Sequence, residues 1–310
     1  MTITQLLYVL AVAEHKNFTK AAQNCHVTQP TLSMQVQKLE EELNVQIFDR
    51  TKKPIELTNV GQKIVSQAKN IVAEAERIND IVDQEKGFIG GEFKLGIIPT
   101  IMPTLLPMFL KTYVKKYPKV KLKIEELTTE EIINRLQDGN LDGAIAATPL
   151  QIDSIRERVL YYEPFVGYIS PNHRLKFKMQ IETSDLDIND MLVLEDGHCF
   201  RQGVLNLCKT KKEQELDNFQ LESGSIEMLV KLVNEGMGMT LLPYLNTLDL
   251  KDSEKENLRF FVNPSPAREV SLLYNKNELK IQIIDSIQQI ISGIIRGAIK
   301  FQDVKIISPK

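Results

Sequence analysis

Residues 18–61 read FTKAAQNCHVTQPTLSMQVQKLEEELNVQIFDRTKKPIELTNVG, and the first domain of the chain is to be recognised here. Within it, Phe18 to Cys25 predicts a short helix whose pair Ala21-Ala22 is small enough for another helix to cross close above it. The turn His26-Val27 leads to Thr28, an N-cap candidate, followed by Gln29, Pro30 and Thr31. Proline is tolerated in a first helical turn because the N–H it lacks has no partner there. In the third helix, Leu32, Val36, Leu39 and Leu43 predict one buried stripe. Gln29, Pro30, Thr31, Ser33, Met34, Gln35 and Lys38 are left on the outer face and first turn, where amides, hydroxyls and an ammonium suit base edges and phosphates in a major groove. Ile47-Phe48-Asp49 then runs through Arg50-Thr51-Lys52-Lys53-Pro54 to Ile55-Glu56-Leu57, which predicts a hairpin with cations near its tip.

On the N-terminal side, the apolar residues between Gln5 and Ala13 recur at helical spacing and predict a first packing helix. On the other side, Thr58 and Asn59 can cap a helix carrying Val60, Ile64, Ala68, Ile71, Ala75, Ile78 and Val82 at three-or-four spacing. That pattern fits a two-stranded seam; a long helix packed on its own domain is the plainer alternative. Gly87, Gly90 and Gly91 end it and mark a boundary. The quoted stretch resembles the winged helix-turn-helix of the LysR-type transcriptional regulators. The resemblance implies a dimeric reader of double-stranded promoter DNA, with its third helix in the major groove and its wing along the backbone. Those roles fall on Thr28, Gln29, Pro30, Thr31, Ser33, Gln35, Lys38, Arg50, Lys52 and Lys53.

Beyond Glu92 strands and helices alternate: Phe93 to Ile98, a helix near Thr104 to Lys116, Leu122 to Glu126, a helix from Thr129 announced by the capping-box spacing of Thr128 and Glu131, then Ala144 to Ala147. Such alternation argues for a mostly parallel sheet. Strands are also expected at Phe165–Ile169, Leu192–Leu194, Phe219–Leu221, Met239–Leu242 and Glu269–Tyr274, with a closing amphipathic helix over Leu279–Ile299. Gly236-Met237-Gly238 reads as a helix C-cap and turn. Two α/β halves joined by crossing strands resemble a solute-binding domain, which is also the regulatory domain of the LysR family. The expected architecture is therefore α/β with an N-terminal all-α winged helix-turn-helix and a two-lobed, periplasmic-binding-protein-like regulatory domain. Its boundaries are 1–58 for the reader, 59–90 for a dimerisation helix, and 91–310 for the regulatory domain, whose lobes are 91–163 plus 268–300, and 164–267.

Composition sets the outer bounds. At 310 residues the chain exceeds what one core usually serves. A net charge of −3 means that affinity for DNA must come from a local basic surface. No apolar run approaches the ~20 residues of a membrane span and no signal-peptide pattern opens the chain, so a cytoplasmic protein without a membrane partner is expected. No phosphate loop, dinucleotide fingerprint or zinc-protease motif is present, so the sequence supports no enzyme. His15, His26 and His173 lack ligand spacing, and neither a metal nor a cofactor is expected.

Three cysteines are too few for a secreted disulfide framework. Cys25 ends the second reader helix and reads as a small core residue. The other two lie in LEDGHCFRQGVLNLC, residues 194–208, which predicts a strand, a tight turn and a helix. A cysteine at a helix N-terminus beside His198 and Arg201 sits in positive potential that favours its thiolate. If the intervening residues are helical, the ~1.5 Å rise per residue puts Cys208 ~13.5 Å further along than Cys199. A disulfide needs Cα atoms within ~7 Å, so joining the two means opening the helix. Spacing alone leaves open two small buried residues without redox chemistry. The segment closely resembles the one that senses hydrogen peroxide in certain LysR-family regulators. That likeness makes Cys199 the peroxidatic and Cys208 the resolving cysteine, with hydrogen peroxide as the signal. It also places Thr100, Thr129, His198 and Arg201 at the peroxide pocket, although both threonines also suit ordinary helix caps. The charged run Lys209 to Glu215 departs from that pattern. A homodimer or homotetramer follows from the family, with RNA polymerase as a further candidate partner. Two other readings stay open: a LysR-type regulator binding a metabolite in the interlobe cleft, and a thiol oxidoreductase, which the missing Cys-X-X-Cys spacing disfavours.

Overall fold

The computed structural model describes residues 1–85, 89–194, 199–208, 225–299 and 304–307. They divide into two compact units, Met1–Phe88 and Ile89–Lys310. The first unit opens with α1 (Ile3–His15), where Thr2 and Gln5 cap each other's backbone N–H reciprocally. After α2 (Phe18–Asn24), α3 (Gln29–Leu43) starts on Thr28, whose hydroxyl accepts from the Thr31 N–H. Ala21 and Ala22 are buried as their size predicts, and so are Leu32, Val36 and Leu39. Leu43, expected in the same stripe, is instead 38% exposed. It is the last residue of α3, and Asn44 behind it takes a left-handed conformation that turns the chain away.

The hairpin is formed by β1 (Phe48–Asp49) and β2 (Glu56–Leu57), antiparallel, with Phe48 opposite Leu57. The helix α4 (Asn59–Glu85) follows. Its residues Val65, Ala68 and Val72 are buried in the reader's core together with residues of α1, whereas Val60 and Ile78 are exposed. The expected single seam is thus two faces: one serves the reader itself, because α1 lies alongside the first half of α4 and covers it.

The second unit contains β3 (Gly91–Ile97), α5 (Met102–Lys116), β4 (Val120–Glu126), α6 (Thr129–Gln137), β5 (Gly143–Thr148), β6 (Ile155–Ile169) and β7 (Gln180–Ile181). It continues with α7 (Cys199–Leu207), α8 (Ile226–Asn234), β8 (Met239–Pro243), α9 (Asp252–Lys255), β9 (Leu258–Phe261), β10 (Ser265–Asn275), α10 (Ile281–Ala298) and β11 (Val304–Ile306). The strands pair in the order β4-β3-β5-β10-β6-β9-β7, with β8 on β6 and β11 on β10. Only β3 with its neighbours β4 and β5, and the short pairs β7–β9 and β10–β11, are parallel; β10 runs antiparallel to β5 and β6, as does β6 to β8 and β9. The sheet is therefore mixed. Strand-helix alternation fixes direction only where a helix crosses over between neighbouring strands, and that holds for the first three strands of this unit and for β10 and β11 on either side of α10.

Two long strands carry the chain between lobes. The first half of β6 pairs with β10 and its second half with β8 and β9. One apolar core forms around β3, β5, α5 and α10, another around α7, α8 and β8. Leu192–Leu194 is not a strand; Met191 makes a single bridge to Met239, and the chain then leaves the sheet towards α7. The strand expected at Phe219–Leu221 lies outside the described residues. Gly236 and Gly238 both take positive φ in the turn after α8, and a Cβ on Gly238 would lie 2.3 Å from the Asp190 carbonyl oxygen. Among the described residues no helix is long and apolar enough to cross a membrane.

Candidate functional site in the reader and around the cysteine helix

The reader's outer surface follows from how α3 is capped. Thr28 commits its hydroxyl to the helix start and to the Thr31 hydroxyl, 2.8 Å away. Thr28, Gln29, Pro30, Thr31 and Lys38 are exposed, and Ser33 and Gln35 are half-buried. The Gln35 side-chain oxygen accepts from Gln5, and its amide N–H groups are not used in that contact. Arg50 is placed differently from the other cations. Its guanidinium donates to Glu40 at 2.7 Å and lies 5.0 Å over the Phe18 ring. Glu40 also accepts the N–H groups of Ile47 and Phe48, so this largely buried carboxylate ties α3 to the base of the wing and takes Arg50 with it. At the wing's tip Lys52 pairs with Glu56 at 2.5 Å, and Lys53 is exposed. Cys25 is half-buried against the reader's core, and burial pushes its thiol above the usual range.

In the second unit, Cys199 is the first residue of α7 and Cys208 follows its last. Phe200, Val204 and Leu207 turn into the second lobe's core, which sets the face that α7 buries. The Cys208 N–H closes the helix end on the Leu205 carbonyl at 3.2 Å. Its thiol is half-buried at the rim of that core, and burial, reinforced by the carboxylates of Asp190 and Asp187, pushes it up to about 11. With 199–207 helical, the ~13.5 Å rise between the two cysteines stands. Arg201 donates to the Leu194 carbonyl at 2.8 Å, tying the first turn of α7 to Leu194. His198 and the run Lys209 to Glu215 lie outside the described residues.

Two residues that sequence reasoning missed sit beside this helix. Arg268 on β10 and Glu163 on β6 face each other in register and are both buried. Arg268 donates to Glu163 through Nε at 2.9 Å and Nη2 at 2.7 Å, and to the Thr100 hydroxyl and carbonyl at 2.8 and 3.1 Å. Its guanidinium carbon lies 5.7 Å from the centroid of Phe200, which meets Phe165 edge-on at 5.5 Å. A positive charge thus stands beside the first turn of α7. The signal in the sequence was slight: Glu163 is the one charge in the run Val159–Ile169 of β6, and Arg268 stands beside Glu269 near the start of β10.

Thr100 is therefore brought to the cysteine helix, through Arg268, and caps nothing: Ile101 occupies the N-cap position of α5. Thr129 is the first residue of α6, which Thr128 caps with Glu131, so its own hydroxyl is not the cap either. No contact joins Thr129 to the Arg268 cluster among the described residues.

Known proteins match along the chain. The profile of the bacterial regulatory helix-turn-helix proteins of the lysR family covers residues 3–62, and that of the LysR substrate binding domain covers residues 86–286. A hydrogen peroxide-inducible genes activator of Pectobacterium carotovorum subsp. carotovorum is 32% identical over 276 residues, spanning 88% of this chain and 90% of its own. The DNA-binding transcriptional dual regulator OxyR of Escherichia coli strain K12 is 32% identical over 274 residues, spanning 88% and 89%. A solved structure of a full-length OxyR variant from Pseudomonas aeruginosa matches with a TM-score of 0.76 at 33% identity, over 94% of this chain and 98% of that one.

Proposed function

This chain belongs to the LysR family of bacterial helix-turn-helix regulators, and on that premise we propose that it is a DNA-binding transcription regulator of the oxidative stress response, switched by hydrogen peroxide through a reversible Cys199–Cys208 disulfide. One observation carries the reading: a helix with one cysteine at its positive end and another just past its negative end, packed by Phe200 under a clamped arginine. The first-turn N–H groups of α7 and the guanidinium of Arg268 favour a thiolate at Cys199. Cys208, held as a thiol, waits ~13.5 Å away.

The Cys199 thiolate attacks one peroxide oxygen, the O–O bond breaks, and hydroxide leaves to become water; the sulfur loses two electrons and becomes a sulfenic acid. Cys208 sulfur then displaces the sulfenic hydroxyl, which departs as a second water once protonated. The two thiols have given up two electrons and the peroxide has become two waters. That second step requires α7 to open, which withdraws Phe200, Val204 and Leu207 from the second lobe's core and turns a chemical event into a change of shape. A dithiol reductant restores the thiols by exchange. One peroxide is consumed per disulfide, and in this reading the disulfide serves as a signal held in the fold, as in the transcriptional regulators that the chain resembles, and not as a step in turnover.

In the same reading the segments 1–58, 59–90 and 91–310 serve as reader, dimerisation helix and regulatory domain. Thr28 to Gln35 and Lys38 meet the major groove, and Lys52 and Lys53 meet phosphates, while Arg50 contributes by holding the wing in place. The exposed Ile78 on α4 favours pairing with a second copy. A regulator of promoter DNA acts in the bacterial cytoplasm, with RNA polymerase as the partner of an activator. The test is to treat the reduced chain with one equivalent of hydrogen peroxide, alkylate, and map the thiols by mass spectrometry. A rapid Cys199–Cys208 disulfide is expected. Three unmodified thiols would overturn the sensor reading and favour a metabolite in the interlobe cleft.

A further inference from the structure

We propose that Glu163 is a positioning residue for the peroxide reaction, holding the Arg268 guanidinium in the one orientation that serves the Cys199 end of α7. The inference rests on the sensor reading above and extends it to a residue on a different strand. Glu163 is fully buried, and both of its oxygens are committed: Oε1 accepts the Leu245 N–H at 2.9 Å, and Oε2 accepts two N–H groups of Arg268. The guanidinium is planar and carries five N–H donors in a rigid fork. Glu163 takes the edge formed by Nε and Nη2, and Thr100 takes the end formed by Nη1 and Nη2. Gripped on two edges, the plane cannot rotate, and one N–H on Nη1 is left without a partner among the described residues. Phe200, the residue after Cys199, lies against the same guanidinium.

A buried ion pair is an expensive way to fill a strand crossing, since well-packed apolar residues commonly do as well or better. Its presence here argues for a task that needs the charge in a set place. The neighbouring Tyr161 hydroxyl, also buried, makes no hydrogen bond to Glu163 or to any other of the described residues, so it does not compete for the carboxylate. Glu163 in turn is anchored by a backbone N–H of the segment after β8, so its own position is fixed from outside the pair.

The sign of the effect separates positioning from charge. In Glu163→Gln the counter-charge is removed, and by charge alone Arg268 would stabilise a nearby thiolate better and the reaction would run faster. The amide introduced by that substitution cannot accept on both sides, because its N–H groups oppose either Arg268 or Leu245, so positioning predicts a slower reaction. The experiment follows Cys199 oxidation by hydrogen peroxide in the full chain as a function of pH, by quenched alkylation and mass spectrometry. We expect E163Q to react about tenfold more slowly at neutral pH, with its pH profile moved upward. Glu163→Asp, which keeps the charge but loses reach, should fall between E163Q and the unaltered chain. A folded E163Q that reacts as fast as the unaltered chain, or faster, overturns the proposal. If E163Q does not fold, E163D decides: slowing with an unchanged melting temperature supports positioning, and an unchanged rate refutes it. An unaltered chain that never reacts at Cys199 sinks the sensor reading and this one together, whereas a reactive chain with an indifferent E163Q sinks this one alone.

Discussion

A thiol set between a hydrocarbon core and two carboxylates keeps its proton well above neutral pH, and Cys208 is set that way. Because its folded-state value is raised above that of an ordinary thiol, the preference for the folded form is fully present below pH ~8.5 and is lost as pH rises through about 11. In a Cys199→Ser variant, alkylation of Cys208 should therefore stay slow at pH 8 and accelerate only towards pH 11; an ordinary thiol profile would contradict the described burial. The same variant should bind DNA normally yet lose its transcriptional response to peroxide, and a persisting response would refute the role given to Cys199. Glu40 supplies a second prediction for a single side chain. Replacing it with alanine strands two backbone N–H groups and the Arg50 guanidinium at the base of the wing, at a cost of about 3 kcal/mol, read as a lowered melting temperature. Cys199 and Cys208 could be picked out as candidates for chemistry, since they are close in sequence. Glu163 and Arg268 could not, because 105 positions separate them and only the pairing of β6 with β10 brings them together.

Among the helices and strands, local chemistry was the reliable guide. Thr28 with Pro30 behind it marked the start of α3, and Thr128 with Glu131 marked that of α6, because a cap is satisfied within one turn of the chain. Thr28→Ala should cost about 1 kcal/mol in denaturant unfolding of the reader, with loss of the Thr31 hydroxyl contact. Gly238→Ala should cost more than about 1 kcal/mol, since positive φ and a backbone atom 2.3 Å from the new Cβ both oppose it. Periodicity was less decisive for α4. The spacing of Ile64, Ala68 and Ile71 says that a face is buried; it does not say against which partner, and α1 takes part of it.

For the molecule taken entire, the oxidised form should be the looser one in its second lobe. Forming the disulfide opens α7 and takes three apolar side chains out of one core, so oxidation should expose residues 200–208 to protease and lower the melting temperature. Unchanged proteolysis after complete oxidation would separate the chemistry from the shape change. DNA binding should weaken steeply with salt, and Lys53→Ala should lower the slope of log K against log salt by about 1 while affecting different sequences alike. The winged reader, the capped helix starts and the helix between Cys199 and Cys208 could all be read from the order of residues, because capping, periodicity and close spacing act within a few turns of chain. The mixed direction of the sheet, the two faces of α4 and the Thr100–Arg268–Glu163 clamp on Phe200 emerged with the folded chain alone. They depend on which distant strands meet, and strand pairing is a contest among non-local contacts that no short stretch of residues encodes.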